Sequence, residues 1–471
     1  LEGDEEEPGH LTSQFLHYFS SALAIGYSLA GLQGLFAVNS VIALFCLIAV
    51  YYFCKQIFNK NVAFLSILFL ACCPAQLWCA RIPQTELLYQ LFYVVGTYMM
   101  CVSLLKEKPV NGFFSGVLIG FIGLNRMDSY VLGIGIFCSA IYFIIFEKTK
   151  FRTAIGISFG YIMSSFISII YTYTYSPYYF IEHWDVGVLK LLAYANVSLV
   201  IIEVLAIVMI RLVKVDYNRF NIIRKIADDG LIRSLFFLIL SLGFVALYEI
   251  RPLLQKGINV DWDFNQRSFV EFCWYTSILT ILFFFVGIWK IICKYSNVSK
   301  YFVFLATGLS SLIIYLYKPA IAPDHIWASR RWVSVCFVFV FIVAAYGIEE
   351  VRKKIDKSSK GYGYISKMVS VAICFFLLFQ CRGFIFTPML HEMQGQYEKL
   401  AEQLDDDKVY FAEMPHYASV LQYIYDKNVI VLDENGIDSL EKYIQDNEQP
   451  IYYIGSDVDI FGDEFSLKLL Y

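Results

Sequence analysis

The amino-acid sequence predicts an all-α polytopic membrane protein with a small α/β domain at its C-terminal end. The chain is 58% hydrophobic and 18% aromatic, 17% of its residues are charged, and its mean hydropathy is +0.58. Such values are typical of chains that cross a bilayer several times. Long apolar stretches follow one another as far as residue 382, and short strand-like runs replace them after Lys408.

The first 34 residues are predicted to form an outer loop and an interfacial helix. An acidic run at 4–7 lies in a polar segment, and the apolar, aromatic-rich segment Leu11–Ala30 ends at Gly31. We place this segment along the outer interface, because counting it as a span would invert the alternation of charge in the later loops. Because the chain begins at Leu1 and not at a methionine, we expect further residues, including a first span, to precede it.

Residues 35–387 are predicted to form a transmembrane bundle of about twelve spans. A helix needs about 20 apolar residues to cross about 30 Å of hydrocarbon, and most of the apolar stretches approach or exceed that length. The predicted spans are 35–54, 61–80, 84–105, 111–125, 129–146, 152–173, 189–211, 231–249, 269–293, 300–317, 331–349 and 363–382. The fourth and fifth are short, and a polar turn that contains Arg126 and Asp128 separates them.

The loops between these spans alternate in charge, which predicts their orientation. One set holds about 22 Lys and Arg residues and the other about 10, and the richer set is expected in the cytoplasm. The loop at 318–332, the N-terminal segment and the C-terminal domain then face outward. The chain is therefore predicted to be a multi-pass protein of the cell membrane.

Residues 388–471 are predicted to form an extracytoplasmic soluble domain. Residues 383–471 hold 18 Asp or Glu against 5 Lys or Arg, so the charge pattern gives no indication of nucleic-acid binding. Strand-like runs at 408–413, 428–433 and 450–456 alternate with helical stretches at His416–Tyr425 and Ile437–Gln445. This alternation predicts a small parallel α/β sheet. The domain carries no Gly-rich phosphate loop and is interpreted as accessory.

The outer loop at 318–332 gathers the residues best suited to chemistry, which are Asp324, His325, Trp327, Arg330 and Arg331. Charges this close to lipid are costly and usually bind something. Two adjacent arginines suit a phosphate, because the guanidinium group donates in a plane and stays protonated. The alternative is an anchoring loop, in which tryptophans lie at the interface and arginines extend to lipid head groups.

Two further outer turns carry opposite charges. Arg81 and Glu86 lie on either side of Pro83, and Arg126 is close to Asp128. For the first turn the alternative is helix punctuation, since a glutamate is favourable at a helix N-terminus. For the second turn the alternative is a local ion pair. Arginines and carboxylates on one outer face predict a cavity for a phosphate-bearing lipid, in which a carboxylate deprotonates an acceptor hydroxyl.

The order of these motifs resembles that of GT-C superfamily glycosyltransferases. The resemblance rests on the helix that ends at Gly31, the sequences LWCARIPQTELLYQ and GLNRMDSY, and DHIWASRRW before a late span, and it extends over most of residues 10–382. The nearest branch is family 39, which contains protein O-mannosyltransferases and lipid A aminoarabinose transferases. The resemblance implies a GT-C-like bundle of about thirteen spans, an interfacial helix, an outer soluble domain, a polyprenyl-phosphate-sugar donor and inversion at the anomeric carbon.

The resemblance also implies roles for individual residues. Family members keep a catalytic acid, usually an Asp-Glu pair, in the first outer loop, which makes Asp4 and Glu5 the catalytic candidates. The expected donor-phosphate ligands are Arg330 and Arg331, with Arg81 and Arg126 as helpers. The residues expected to line the same cavity are Glu86, Asp128, Asp324, His325 and Trp327. Some members use a divalent metal ion, and the sequence leaves metal dependence open.

The sequence therefore predicts an integral-membrane inverting glycosyltransferase. It is expected to move a hexose or pentose from a polyprenyl-phosphate carrier to a protein, lipid or glycan acceptor outside the cytoplasm, with membrane lipid as its surroundings. A lipid or polysaccharide transporter or flippase is the first alternative, but its repeated halves or matching broken spans are not found in the sequence. A non-catalytic export or scaffold protein is the second, and it gives no reason for charges to collect on one face.

Overall fold

The chain divides in the computed structural model into two compact units, Leu1–Ile385 and Phe386–Tyr471. The residues that the structure describes are 2–3, 11–12, 16–212, 229–254, 260–293, 295–324, 326–358, 364–387, 391–412, 414–431 and 452–455. The first unit is almost entirely helical, apart from a two-residue antiparallel pairing of β1 (Glu2–Gly3) with β2 (Leu11–Thr12).

The helices of the first unit follow the predicted order. They are α1 (His17–Ile57), α2 (Lys60–Cys72), α3 (Pro74–Cys79), α4 (Glu86–Leu105), α5 (Pro109–Gly120), α6 (Val131–Phe146), α7 (Phe151–Tyr175), α8 (Pro177–Asp185), α9 (Val188–Leu212), α10 (Gly230–Val245), α11 (Val260–Thr276), α12 (Ile278–Ile292), α13 (Tyr295–Tyr317), α14 (Arg330–Val333), α15 (Cys336–Ser358) and α16 (Tyr364–Gln380). Tight helical turns extend several of them, at Phe121–Leu124, Met127–Tyr130, Ala246–Ile250, Arg251–Leu254 and Trp327–Ser329.

Eight helical segments among the described residues are long and apolar enough to cross a membrane, and there are ten if each of two bent pairs counts as one span. Two shorter apolar segments, Lys60–Cys72 and Pro109–Leu124, account for the remaining predicted stretches. Every predicted span thus coincides with an apolar helix or helix pair. The prediction of an all-α polytopic membrane protein is confirmed.

The first helix breaks where the interfacial segment was predicted to end. Gly31 has φ +59° and ψ −145°, which a residue with a side chain rarely adopts. A Cβ on Gly34 would lie 2.0 Å from the carbonyl oxygen of Gly26, so the two parts of α1 fold sharply against each other. The helix begins at His17 and not at Leu11, which lies in the short strand β2.

Three predicted spans are not single straight helices. The predicted helix 61–80 ends at Cys72, and α3 starts anew at Pro74, because proline lacks the N–H that a helix interior requires. The segments Phe264–Thr276 and Ile278–Ile292 meet at 96°, and Trp327–Val333 meets Cys336–Asp356 at 60°. Hydropathy alone does not reveal such bends, because it averages over the break.

Helices α5 and α7 cross in close contact through glycines. A Cβ on Gly116 would lie 2.0 Å from the Ile157 carbonyl oxygen, and one on Gly160 would lie 2.1 Å from the Phe113 carbonyl oxygen. Small residues of this kind let helix backbones approach each other inside a membrane. The crossing holds the end of α5, from which the turn containing Arg126 leaves.

The second unit contains a small parallel sheet. Strand β3 (Tyr410–Ala412) lies between β4 (Val429–Val431) and β5 (Tyr452–Ile454) and pairs in parallel with both. Helices α17 (His391–Gln403) and α18 (Pro415–Tyr425) accompany it, and Ala412, Ala418 and Leu421 are in its core. The predicted α/β pattern is confirmed where the chain is described, and the predicted helix 437–445 lies outside the described residues.

Candidate functional site

A cluster of five charged side chains joins three distant parts of the first unit; we call it the charged cluster, and its members are Glu86, Arg126, Asp128, Arg330 and Arg331. Glu86, the first residue of α4, is fully buried. Its Oε1 atom accepts from Arg126 NH1 at 2.5 Å and from Arg330 Nε at 2.6 Å. The buried carboxylate therefore ties the turn after α5 to the start of α14.

Asp128 provides the second anionic centre of the charged cluster. Arg126 makes a bidentate contact with it, donating from Nε to Oδ1 at 3.0 Å and from NH2 to Oδ2 at 2.8 Å. Arg331 NH1 donates to the same Oδ2 at 2.9 Å, and Arg331 NH2 donates to the Ala320 carbonyl at 2.8 Å. The predicted local ion pair between Arg126 and Asp128 is thus present, but it is part of a larger network.

The turn before Glu86 is fixed by Asn39 of α1. The buried Asn39 amide nitrogen donates to the carbonyls of Cys79, Ile82 and Gln84 at 3.1, 2.5 and 2.8 Å. From the other side, Asn125 Nδ2 donates to the Thr85 carbonyl at 2.9 Å. Backbone carbonyls released between α3 and α4 are thus satisfied by side chains, which sets the position at which α4 starts.

The arginine pair of the 318–332 loop is oriented by buried contacts behind it. Gln90 of α4 donates through Nε2 to the Val333 carbonyl at 2.6 Å, at the bend between α14 and α15, and pairs with Gln76 of α3 at 2.8 and 2.9 Å. Trp332 is fully buried and donates from Nε1 to the Tyr315 carbonyl at 3.3 Å. Trp332 is therefore a core residue, not an interfacial anchor.

Arg330 differs from the other two arginines in its terminal nitrogens, which have no partner among the described residues. A guanidinium group carries five N–H donors. Arg126 and Arg331 each use terminal nitrogens within the protein, whereas Arg330 donates only from Nε, and neither terminal nitrogen has a partner among the described residues. The central carbon of its guanidinium lies over the Trp327 ring, 4.0 Å from the ring centre.

Trp327 forms an aromatic wall beside this open guanidinium. Its side chain is 39% exposed, and Trp78 packs against it edge-on with ring centres 6.3 Å apart. The side chains of Arg330 and Arg331 are only 16% and 23% exposed. They are held inward by carboxylates, which differs from the snorkelling arrangement that was the alternative interpretation of this loop.

The charged cluster holds three arginines against two carboxylates and so carries an excess of one positive charge. Burial lowers the pKa of Arg126, but the carboxylates of Asp128 and Glu86 raise it by more, so the pKa lies well above its usual range. Arg126 therefore stays charged while enclosed. A partly enclosed site with net positive charge and open N–H donors is suited to an anionic group.

The remaining predicted site residues lie outside the charged cluster or outside the described part of the chain. Arg81 lies outside the charged cluster and donates from NH1 to the carbonyl of Phe384. Asp324 is exposed and starts the turn that leads to α14. His325, Asp4 and Glu5 lie outside the described residues. Among the residues that the structure does describe, no group of three or more His, Cys, Asp or Glu side chains is placed to hold a metal ion.

Sequence reasoning missed the buried polar residues that position the charged cluster. Asn39, Gln90 and Gln76 are each nearly or fully buried in apolar segments, and Tyr315 donates to the Asp128 carbonyl at 3.4 Å. The available signal was an amide inside an apolar stretch, since a polar side chain buried in a span must find a partner. Their partners are up to 243 residues away in sequence and could not be inferred from spacing.

Comparison with known families finds a match in the first part of the chain. Residues 19–178 match the family model described as dolichyl-phosphate-mannose-protein mannosyltransferase. The match indicates a membrane glycosyltransferase of the GT-C type. It covers about a third of the chain and includes Glu86, Arg126 and Asp128, whereas Arg330 and Arg331 lie beyond it. The predicted resemblance is confirmed, and the comparison with curated proteins returns no match.

Proposed function

We propose that this glycosyltransferase transfers a sugar from a polyprenyl-phosphate carrier to an acceptor outside the cytoplasm, with inversion at the anomeric carbon. The acceptor oxygen attacks the anomeric carbon on the face opposite the phosphate. As the new carbon–oxygen bond forms, the bond to the phosphate oxygen breaks, and the phosphate leaves with an added negative charge. A site for this reaction needs fixed positive charge at the leaving phosphate and a base at the acceptor hydroxyl.

The observation that carries this proposal is the open end of Arg330. Its Nε is fixed by the buried Glu86 at 2.6 Å and its face by Trp327, so the two terminal nitrogens are held in a defined direction without a partner among the described residues. A guanidinium fork pre-organised in this way suits two phosphate oxygens. The exposed part of Trp327 lies beside it and suits the apolar face of a sugar or isoprene unit.

The other charges of the cluster have a supporting role in this proposal. Arg126 uses Nε and both terminal nitrogens on Asp128, Glu86 and Thr85, and Arg331 uses both terminal nitrogens on Asp128 and a carbonyl. They add positive potential at the leaving phosphate, and Glu86 and Asp128 fix their positions. Arg330 is therefore proposed as the principal phosphate ligand of the two adjacent arginines.

Replacement of Arg330 tests the proposal directly. Arg330→Ala is expected to weaken binding of a polyprenyl-phosphate donor by at least about tenfold, since a hydrogen bond to a charged group contributes about 1.5–3 kcal/mol. Arg330→Lys is expected to restore binding only in part because it lacks the fork. The measurement is donor binding in detergent or liposomes, with thermal unfolding as a check on the fold.

Arg382 provides a matched control for this experiment. It is an arginine beside a helix end that lies 4.1 Å over an aromatic ring, Phe379, and it is not part of the charged cluster. Arg382→Ala is expected to leave donor binding unchanged. Undiminished donor binding by a folded Arg330→Ala variant would remove Arg330 from the site.

The base is proposed to be an acid of the first outer loop, with Asp4 and Glu5 as the candidates in this chain. Asp4→Asn or Glu5→Gln is expected to lower turnover by about 10²-fold while donor binding is largely kept, because a general base acts only in the chemical step. The measurement is transfer of a radiolabelled sugar from polyprenyl phosphate. Normal turnover in the double variant would exclude both residues as the base.

A further inference from the structure

A second candidate site lies at the side of the bundle, separate from the charged cluster. An open cavity of about 220 Å³ is bordered by the end of α10 with the turn that follows it, by α11 and by α12. Its walls include Phe244, Tyr248, Phe269, Cys273 and Phe285, and Glu249 is the only lining residue that carries a charge at neutral pH. No member of the charged cluster lines it.

Two departures from regular helix geometry border this cavity. The turn Ala246–Ile250 that continues α10 is a π-helix. Such turns are rare overall, and those that occur are often at functional sites. On the opposite wall Ser277 has φ +71° at the 96° bend between α11 and α12. A non-glycine residue in this region is strained and persists only where the surrounding structure holds it. Residues of the π-helical turn, Tyr248 and Glu249, line the cavity, and so does Ile278, which follows Ser277.

The surroundings of the cavity indicate where its occupant comes from. All of its walls belong to segments long and apolar enough to cross a membrane, Gly230–Leu254 and the bent pair Phe264–Thr276 with Ile278–Ile292. Apart from Glu249 the wall residues are hydrophobic, so an aqueous ligand gains little there. A hydrocarbon chain from the bilayer matches both the location and the lining.

The charge of the site selects the head group. Glu249 is exposed, at the π-helical turn, and a carboxylate accepts hydrogen bonds but repels phosphate. We propose that the cavity binds the hydrocarbon chain of an uncharged membrane lipid whose hydroxyl head group donates to Glu249. This selectivity is opposite to that of the charged cluster, where the excess charge is positive, so the two sites take different lipids.

A lipid alcohol bound here would be a candidate acceptor, and that role rests on the proposed function, whereas the binding itself does not. An acceptor that arrives from the bilayer with a free hydroxyl is what a transferase acting on lipids needs. The test therefore measures lipid binding without measuring transfer, so that failure of one proposal is distinguishable from failure of the other.

The experiment uses the full chain in phosphatidylcholine liposomes with a photoactivatable diacylglycerol and a phosphatidic acid of the same chains. The diacylglycerol is expected to label peptides from α10, α11 and α12 in preference to the phosphatidic acid. Cys273→Phe places a larger side chain in the cavity and is expected to lower this labelling about tenfold, which corresponds to displacing about two buried CH₂ groups of the lipid chain. Leu238→Phe, on the exposed face of α10, is the control and is expected to change nothing.

Replacement of the carboxylate keeps the test independent of how well the filled variant folds. Glu249→Lys is expected to reverse the preference in favour of phosphatidic acid, since the exposed side chain changes sign without entering the core. Arg330→Ala is expected to retain the labelling. Equal labelling by both lipids in the unmodified protein, or labelling that is indifferent to residues 249 and 273, would mean surface lipid only and overturn the proposal.

Discussion

At the scale of single residues, Glu86 shows how one buried carboxylate organises a site. Its Oε1 receives both Arg126 and Arg330, while Oε2 is buried without a partner among the described residues. A buried charge whose partner is removed costs several kcal/mol, because the remaining charge can neither pair nor reach water. Glu86 therefore helps to neutralise the enclosed Arg126 and fixes the orientation of Arg330.

Loss of the Glu86 charge is expected to lower the free energy of unfolding of the protein. Glu86→Gln keeps the shape but leaves Arg126 and Arg330 without their shared counter-charge, which we expect to cost about 3 kcal/mol. The measurement is unfolding by denaturant in detergent. Glu182→Gln, at an exposed position of α8, is the control and should stay within about 0.5 kcal/mol of the unmodified protein. Equal stability of the two variants would contradict the role given to Glu86.

At the scale of elements, the site depends on helix contacts that leave no room for side chains. The approach of α5 to α7 at Gly116 and Gly160 sets where α5 ends and where the turn with Arg126 begins. The bend between α14 and α15 also contributes, because it presents the Val333 carbonyl to the side chain of Gln90.

A methyl group added at the α5–α7 crossing is expected to destabilise the bundle. In Gly160→Ala the new Cβ would lie 2.1 Å from the Phe113 carbonyl oxygen, so the backbones must separate, at an expected cost of about 1–3 kcal/mol. Gly243→Ala in α10 meets nothing within 4 Å and is the matched control. The control should be neutral or stabilising by up to about 1 kcal/mol, owing to the higher helix propensity of alanine. A crossing variant as stable as the control would show that the contact is not tight.

At the scale of the whole molecule, orientation decides whether the charged cluster meets substrates outside the cytoplasm. The structure describes eight to ten segments fit to cross a membrane, while the side on which each loop lies follows from the charge pattern alone. We propose that the 318–332 loop and the C-terminal unit are extracytoplasmic.

Single cysteines in a cysteine-free variant test this orientation with a thiol reagent that does not cross membranes. Ala322→Cys and Gln394→Cys, both at exposed positions, are expected to react from outside in intact cells. Glu107→Cys, in the exposed loop between α4 and α5, is expected to react only after the membrane is opened. Reaction of Glu107→Cys and Ala322→Cys from the same side would contradict the proposed orientation.

The sequence by itself determined the class of fold and most of its elements. Apolar stretches longer than about 18 residues are expected to form helices in a bilayer, because a helix satisfies every backbone polar group within one segment. Gly31 marked the break in α1 without any tertiary information. The sequence also selected all five members of the charged cluster, with Arg126, Arg330 and Arg331 as phosphate ligands and with Glu86 and Asp128 as lining residues. These inferences rest on properties of residues and of short segments.

Only the tertiary structure decided how the selected residues divide their roles. Arg330 and Arg331 are neighbours of the same type, yet Arg331 donates to Asp128 and Ala320 while the terminal nitrogens of Arg330 have no partner in the described part of the chain. Arg81 lies outside the charged cluster. The difference depends on partners 203 and 244 residues away in the chain. The N–H groups of a guanidinium that stay available for a ligand are those that no neighbouring acceptor uses. Helix packing brings those neighbours close, and no local sequence pattern encodes it.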